Sequence, residues 1–274
     1  MAKRRKTPKI RIKNAQEIES MRTAGRTASE VLQQIAKAVA PGVTTGELDE
    51  LVRDMIHQRG CKSAFHGYRG FPGQACLSVN EEIVHGIGGA RKLQFGDLIK
   101  IDVGIVQDGW IGDNATSVPV GDVDQETKRL MAATEQALYD GIDRARAGNR
   151  LADICGAVED RVTPLGFTIV REFVGHGVGR ELHEEPQVPN YRPKGKTPVL
   201  EPGMILAIEP MVNAGSPAIR ILEDKWTVIT ADRKMSAHFE HTVLVTDGEP
   251  ELLTWRPREA TPELLGLGST SEII

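Results

Sequence analysis

The chain has 274 residues, enough for one large domain or two small ones, with 40% hydrophobic and 26% charged residues and a formal net charge of −4. That balance belongs to an ordinary globular protein. No apolar stretch is long enough to span a bilayer and no apolar segment follows the basic start, so neither a membrane protein nor a secretory signal is expected. Three cysteines, Cys61, Cys76 and Cys155, show no CxxC spacing and point to reduced thiols in the cytosol.

In chain order, Lys3, Arg4, Arg5, Lys6, Lys9, Arg11 and Lys13 precede the first acid, Glu17. This arm, residues 1–13, reads either as a solvated tail or as a contact for a polyanion such as ribosomal RNA through phosphate neutralisation. No aromatic residue interleaves with the charges, so sequence-specific nucleic-acid binding is not expected. A first helix is predicted from Asn14, with Glu17 completing a capping box and Ile18, Met21, Ala28, Val31, Leu32, Ile35 and Val39 on one face, ending at Pro41-Gly42. Thr44 with Glu47 caps a second helix that stops at Gly60. Two apolar runs around Asp108-Gly109 then read as a hairpin. A third helix is predicted from Gln125 to about Arg146, and a shorter fourth from Leu151 to Pro164.

The second helical pair repeats the first. Gly42, Glu47, Leu48, Val52, Asp54, Ile56 and Gly60 match Gly148, Asp153, Ile154, Val158, Asp160, Val162 and Gly166 at a constant offset of 106 positions. His85-Gly-Ile-Gly then resembles His176-Gly-Val-Gly, Ile101-Asp102 resembles Ile208-Glu209, and Gly112-Asp113 aligns with Phe239-Glu240. A colinear series of this kind predicts a duplicated α+β chain whose two halves face each other across a cleft.

The chemistry follows from the carboxylates. A two-residue loop at Asp108-Gly109 pairs Asp102 with Ala115 and leaves Asp113 diagonal to Asp102; a loop one residue earlier sets the two acids directly opposite. Either register places them on one face, because strand side chains alternate with period two. Two anions so close need a shared proton, solvent or a cation. The repeat adds Glu209 and Glu240, with His85, His176 and His183 nearby. Four carboxylates and imidazole in one pocket call for two divalent cations, and an oxygen-rich donor set with one imidazole suits Mn, Fe(II), Co or Zn. Such a pair supports hydrolysis of a carbonyl or phosphoryl centre. His57 and His66 have no comparable neighbours and read as surface or packing residues.

The segments SVNEEIVHGIGG, IKIDVGIVQDGWIGDNATS, GHGVGRELHEEPQVPNY, PGMILAIEPMVN and SAHFEHTVLVTDG resemble, in order, the motifs of the type I methionine aminopeptidases, a peptidase family whose likeness covers roughly residues 14 to 250. The resemblance implies the α+β "pita-bread" fold of creatinases and aminopeptidases, two pseudo-symmetric halves around a dinuclear metal cleft. It implies a catalytic domain over 14–252 and a flexible tail over 253–274. It implies that Asp102, Asp113, His176, Glu209 and Glu240 hold two divalent ions, with Asp113 and Glu240 shared. Glu209 would act as base, His183 would stabilise the tetrahedral intermediate, and His85 would contact the substrate amide and assist the departing amine. Tyr68, Phe71, Cys76 and Trp226 fall in the segments that form the methionine pocket. Leu182 stands where relatives often carry phenylalanine, which implies a softer pocket wall.

The implied activity is removal of initiator methionine from nascent polypeptide N-termini when the second residue is small and uncharged, by a monomeric cytoplasmic enzyme. Two alternatives from the same fold are an X-Pro aminopeptidase or prolidase and an inactive peptide- or ribosome-binding module. The interval from Glu209 to Glu240 has no room for the helical insertion of type II relatives, and all five ligand positions are filled, unlike the inactive modules.

Overall fold

The computed structural model describes residues 9–258. Lys3 to Lys6 of the basic arm, and the tail beyond Arg258, lie outside the described residues. Helix α1 spans Ala15–Ala38 and α2 spans Thr45–Gln58. Both begin as the sequence predicts. Asn14 accepts from the backbone of Gln16 and Glu17 while Glu17 reaches back, and Thr44 and Glu47 repeat the device, satisfying amides that the first turn leaves unpaired.

The first half is completed by β1 (Lys62–Ser63), β2 (Cys76–Val79), β3 (Glu82–Val84), β4 (Leu98–Gln107) and β5 (Trp110–Pro119). The long β4–β5 hairpin is its spine, with β5 on one edge of β4 and β1 and β2 sharing the other. The turn residues Asp108 and Gly109 have φ of 50° and 75°, the left-handed pair that a tight hairpin requires. Asp102 therefore pairs with Ala115, and Asp113 with Gly104. The first of the two registers is the real one.

The second half opens with α3 (Gln125–Asp143) and α4 (Leu151–Val162); α3 ends one turn earlier than expected, where Arg144 and Ala145 close onto Gly141 and Ile142. Strands β6 (Thr168–Ile169), β7 (Gly175–Gly177), β8 (Glu184–Val188), β9 (Ile205–Ile208) and β10 (Met211–Asn213) follow. Then come β11 (Ile219–Ile221), β12 (Val228–Thr230), β13 (Ser236–His238), β14 (His241–Leu244) and β15 (Glu251–Leu252). The main sheet runs β15-β14-β9-β7-β8.

Each helix pair covers its own half. Leu32, Ile35, Leu48, Val52 and Ile56 pack on Leu77, Ile99, Ile101 and Val103, while Leu138, Ile154 and Val158 pack on Leu206, Ile208 and Val243. The halves meet edge to edge. Ala115 of β5 forms a bridge to Glu240, whose amide donates to the Ala115 carbonyl at 2.9 Å.

One part of the repeat does not survive. His176 lies within β7, the neighbour of β9, and the corresponding neighbour of β4 is β2. His85 instead follows β3, with a left-handed φ of 60°. The two His-Gly-x-Gly strings are thus not equivalent positions, although both histidines reach the same cleft.

Both expected domain edges also shift. Lys13 is buried, pairing with Glu184 at 2.8 Å, and Arg11 pairs with Glu17 at 2.5 Å. These two charges are taken by the chain's own acids. At the other end Leu253, Thr254 and Arg256 are buried, and Ser29 Oγ donates to the Trp255 carbonyl at 2.7 Å. Folded chain thus continues past 252, because this segment supplies hydrogen bonds that β14 and α1 lack.

Helix α1 lies close on β5 because Gly112 has no side chain: a Cβ there would stand 2.4 Å from the Ala24 carbonyl oxygen. Backbone cannot yield as a flexible side chain can. Gly112→Ala is expected to cost about 1–3 kcal/mol and to lower the thermal midpoint by roughly 2–4 °C per kcal/mol, read by calorimetry.

Candidate metal centre and substrate cavity

Strand parity turns Asp102 and Asp113 toward the junction of the halves. Continuing the β9–β14 register, in which His241 faces Ile208, brings Glu209 and Glu240 to the same junction from the other side. His176 joins them from β7. Its Nε2 lies 3.4 Å from Glu209 and 3.9 Å from Asp113. Ligand atoms of Asp113, His176 and Glu240 all fall within 4.8 Å of one another, and all three residues are buried.

The electrostatics of this cluster are severe. Burial, then the neighbouring carboxylates, pushes Asp102 and Glu240 well above the ordinary range, and Glu209 likewise. Burial raises Asp113 to about 7 and drives His176 down to about 3. A neutral His176 donates from Nδ1 to the Gly177 carbonyl at 2.9 Å, since a carbonyl only accepts. That tautomer turns the Nε2 lone pair toward the carboxylates. Asp102 Oδ1, Asp113 Oδ1 and Glu240 Oε1 are buried without a hydrogen-bond partner. Converging lone pairs, anions and orphaned oxygens are what a divalent cation satisfies. The donor set fits a hard or borderline metal ion.

Above the acids lies a cavity of ≈ 230 Å³ lined by all eleven site residues expected from the sequence, from Tyr68 and Phe71 to Trp226 and Glu240. Phe71 and Trp226 meet edge to face at 5.2 Å between ring centres. Cys76 is buried beside Asp102, its cross-strand partner. His183 is exposed at the mouth; its Nδ1 is 2.8 Å from the Tyr68 hydroxyl, and its ring is 4.3 Å from that of His176. His85 packs edge-on against Phe173, and burial lowers it to about 4. Leu182 is part of the wall, and His57 and His66 are not.

The sequence reading passed over His238. Its Nε2 lies 3.7 Å from Glu209, and burial lowers it to about 3. A signal was available: His238 stands two residues before Glu240, the spacing at which extended chain turns side chains to the same side. A larger groove of ≈ 1960 Å³ runs along α3, α4 and residues 249–258, but its acids are open to solvent and matched to arginines, as in Asp140–Arg161 at 2.6 Å. It gathers no buried acids.

Comparisons with known proteins bear on the chain as a whole. The model of metallopeptidase family M24 matches residues 19–247. Methionine aminopeptidase 1 of Bacillus subtilis is 47% identical over 242 residues, 88% of this chain and 98% of that protein. The crystal structure of methionine aminopeptidase from Thermotoga maritima superimposes with a TM-score of 0.88 at 42% identity, covering 90% of this chain and all of that one. A prolidase from Pyrococcus furiosus shares the fold alone, with a TM-score of 0.74 at 22% identity over 66% of its length. The two-halved architecture is the pita-bread fold, and the chain belongs to metallopeptidase family M24, among its methionine aminopeptidases.

Proposed function

We propose that this enzyme removes the initiator methionine from nascent polypeptides whose second residue is small and uncharged, with two divalent ions held by Asp102, Asp113, His176, Glu209 and Glu240. The observation that carries this reading is the set of orphaned, buried carboxylate oxygens on the floor of a small apolar cavity. In this assignment the four carboxylates and the His176 imidazole would together hold the ions. When bound, such ions supply Lewis acidity and lower the pKa of water in the cleft.

The chain's own residues do the rest. Phe71, Trp226, Tyr68 and Cys76 enclose the methionine side chain and exclude water. The free N-terminal amine of the substrate lies toward the carboxylates, which restricts cleavage to the first peptide bond. Glu209 accepts a proton from the attacking water as its oxygen bonds to the carbonyl carbon. His183 donates to the carbonyl oxygen as charge develops there. The C–N bond then breaks, and the proton held at Glu209 passes to the departing nitrogen, which His85 steadies. With room for one side chain, the cavity leaves the second residue outside it, against the wall, where a small residue fits.

Three buried, free cysteines support action in a reducing cytosol, and no helix among the described residues is long and apolar enough to cross a membrane. The enzyme works as a monomer, and the basic arm, in which Lys9 is exposed, is the part suited to contact with ribosomal RNA.

Chelator-stripped protein given Mn²⁺ or Co²⁺ is expected to cleave Met-Ala-Ser and to leave Met-Lys-Ser intact; no turnover with any divalent metal overturns the assignment. Asp102→Asn and Glu240→Gln are expected to abolish turnover. In metal-free protein each should keep or raise the thermal midpoint, because each removes one of several mutually repelling buried charges; a large drop would instead make these acids structural. Tyr68→Phe removes the hydroxyl that orients His183. A hydrogen bond of about 1 kcal/mol predicts a fall in kcat of roughly fivefold with KM little changed, measured by steady-state kinetics on Met-Ala-Ser.

A further inference from the structure

Arg256 lies beyond the matched family segment, which ends at residue 247, yet it is buried directly behind the metal centre, only 2% exposed. Its Nη2 donates to the Ala115 carbonyl at 2.6 Å and its Nη1 to the Glu240 carbonyl at 3.1 Å. One planar fork therefore spans two backbones, one from each half, at the bridge where the halves join. A neighbouring contact reinforces it. Thr254 Oγ1 accepts from the Thr242 amide at 3.0 Å, and Thr242 Oγ1 donates to the Asp113 carbonyl at 2.7 Å. Residues 254–256 thus brace the backbone of both Asp113 and Glu240.

We propose that Arg256 is a positioning residue of the metal site, fixing the Glu240 carboxylate by cross-bracing Glu240 to Ala115. The proposal rests on Glu240 being a metal ligand. Glu240 sits between β13 and β14, so a small rotation of its backbone swings the carboxylate away from Asp113. A guanidinium resists that rotation because its geometry is rigid and its donors engage both halves at once. An ammonium at the same place could not hold both carbonyls in that geometry.

The test uses full-length, chelator-stripped protein, with Mn²⁺ affinity read by titration calorimetry beside Met-Ala-Ser kinetics and thermal midpoints. Arg256→Met is expected to weaken Mn²⁺ binding about 10–100-fold, as loss of an outer partner of a ligand does, with KM little changed at saturating metal. Arg256→Lys should recover part of that affinity. Ser29→Ala, which frees the Trp255 carbonyl without touching the fork, should lower the midpoint and leave Mn²⁺ affinity as in the parent. Folded Arg256→Met with parental Mn²⁺ affinity overturns the proposal, as does Ser29→Ala weakening Mn²⁺ equally. If Arg256→Met does not fold, Arg256→Lys decides, and parental affinity there is the overturning result. Glu240→Gln separates the two layers: parental Mn²⁺ affinity in that variant removes the ligand reading itself, whereas its loss beside an unaffected Arg256→Met removes only the brace.

Discussion

Four carboxylates held out of water in one junction are the constraint from which the rest of the molecule follows. In an apolar interior such charges repel one another and lose their hydration, a cost of several kcal/mol per ion even after relaxation. The fold sets Arg256 on the backbone carbonyls of Ala115 and Glu240 and Arg69 in the cavity wall. It supplies a neutral imidazole whose lone pair joins the anions, so the shortage of positive charge is built in. A site that is unfavourable when empty is strongly favourable when a divalent ion fills it, and binding affinity and empty-state strain are two sides of one design.

The scaffold around that junction is stiff for the same reason. Each acid sits on a paired strand or next to one, and each half carries its own helix pair and its own apolar core. Carboxylates on flexible loops would splay apart and find solvent. One long hairpin pinned by a left-handed turn holds Asp102 and Asp113 in register, the pairing of β9 with β14 aligns Glu209 and Glu240, and the glycine contact between α1 and β5 keeps the hairpin pressed against its helix.

Much of this was legible in the sequence. The capping boxes at Asn14 and Thr44, the hairpin at Asp108-Gly109 and the parity of Asp102 with Asp113 are local signals, and each reappears in the structure. The doubled helix pair was legible because both copies keep the same apolar spacing. What failed was similarity too short to carry topology: His85-Gly-Ile-Gly and His176-Gly-Val-Gly look alike, but strand order sets them in different places. His238 belongs to no motif that singles it out, and only its spacing of two residues from Glu240 hints that both turn toward the cleft. The role of residues 253–258 was invisible from sequence, since nothing local in Thr-Trp-Arg announces a partner more than a hundred residues earlier.

The bridge between Ala115 and Glu240 bears on the order of events during synthesis. When β5 has been made, only two of the acids, Asp102 and Asp113, are present. The remaining expected ligands arrive about sixty or more residues later, and the strand that completes the junction is among the last to leave the ribosome. Metal capture is therefore a late step in the life of the nascent chain. A copy that stops short of Glu240 lacks a complete acid cluster, so the last strands decide whether the enzyme is finished.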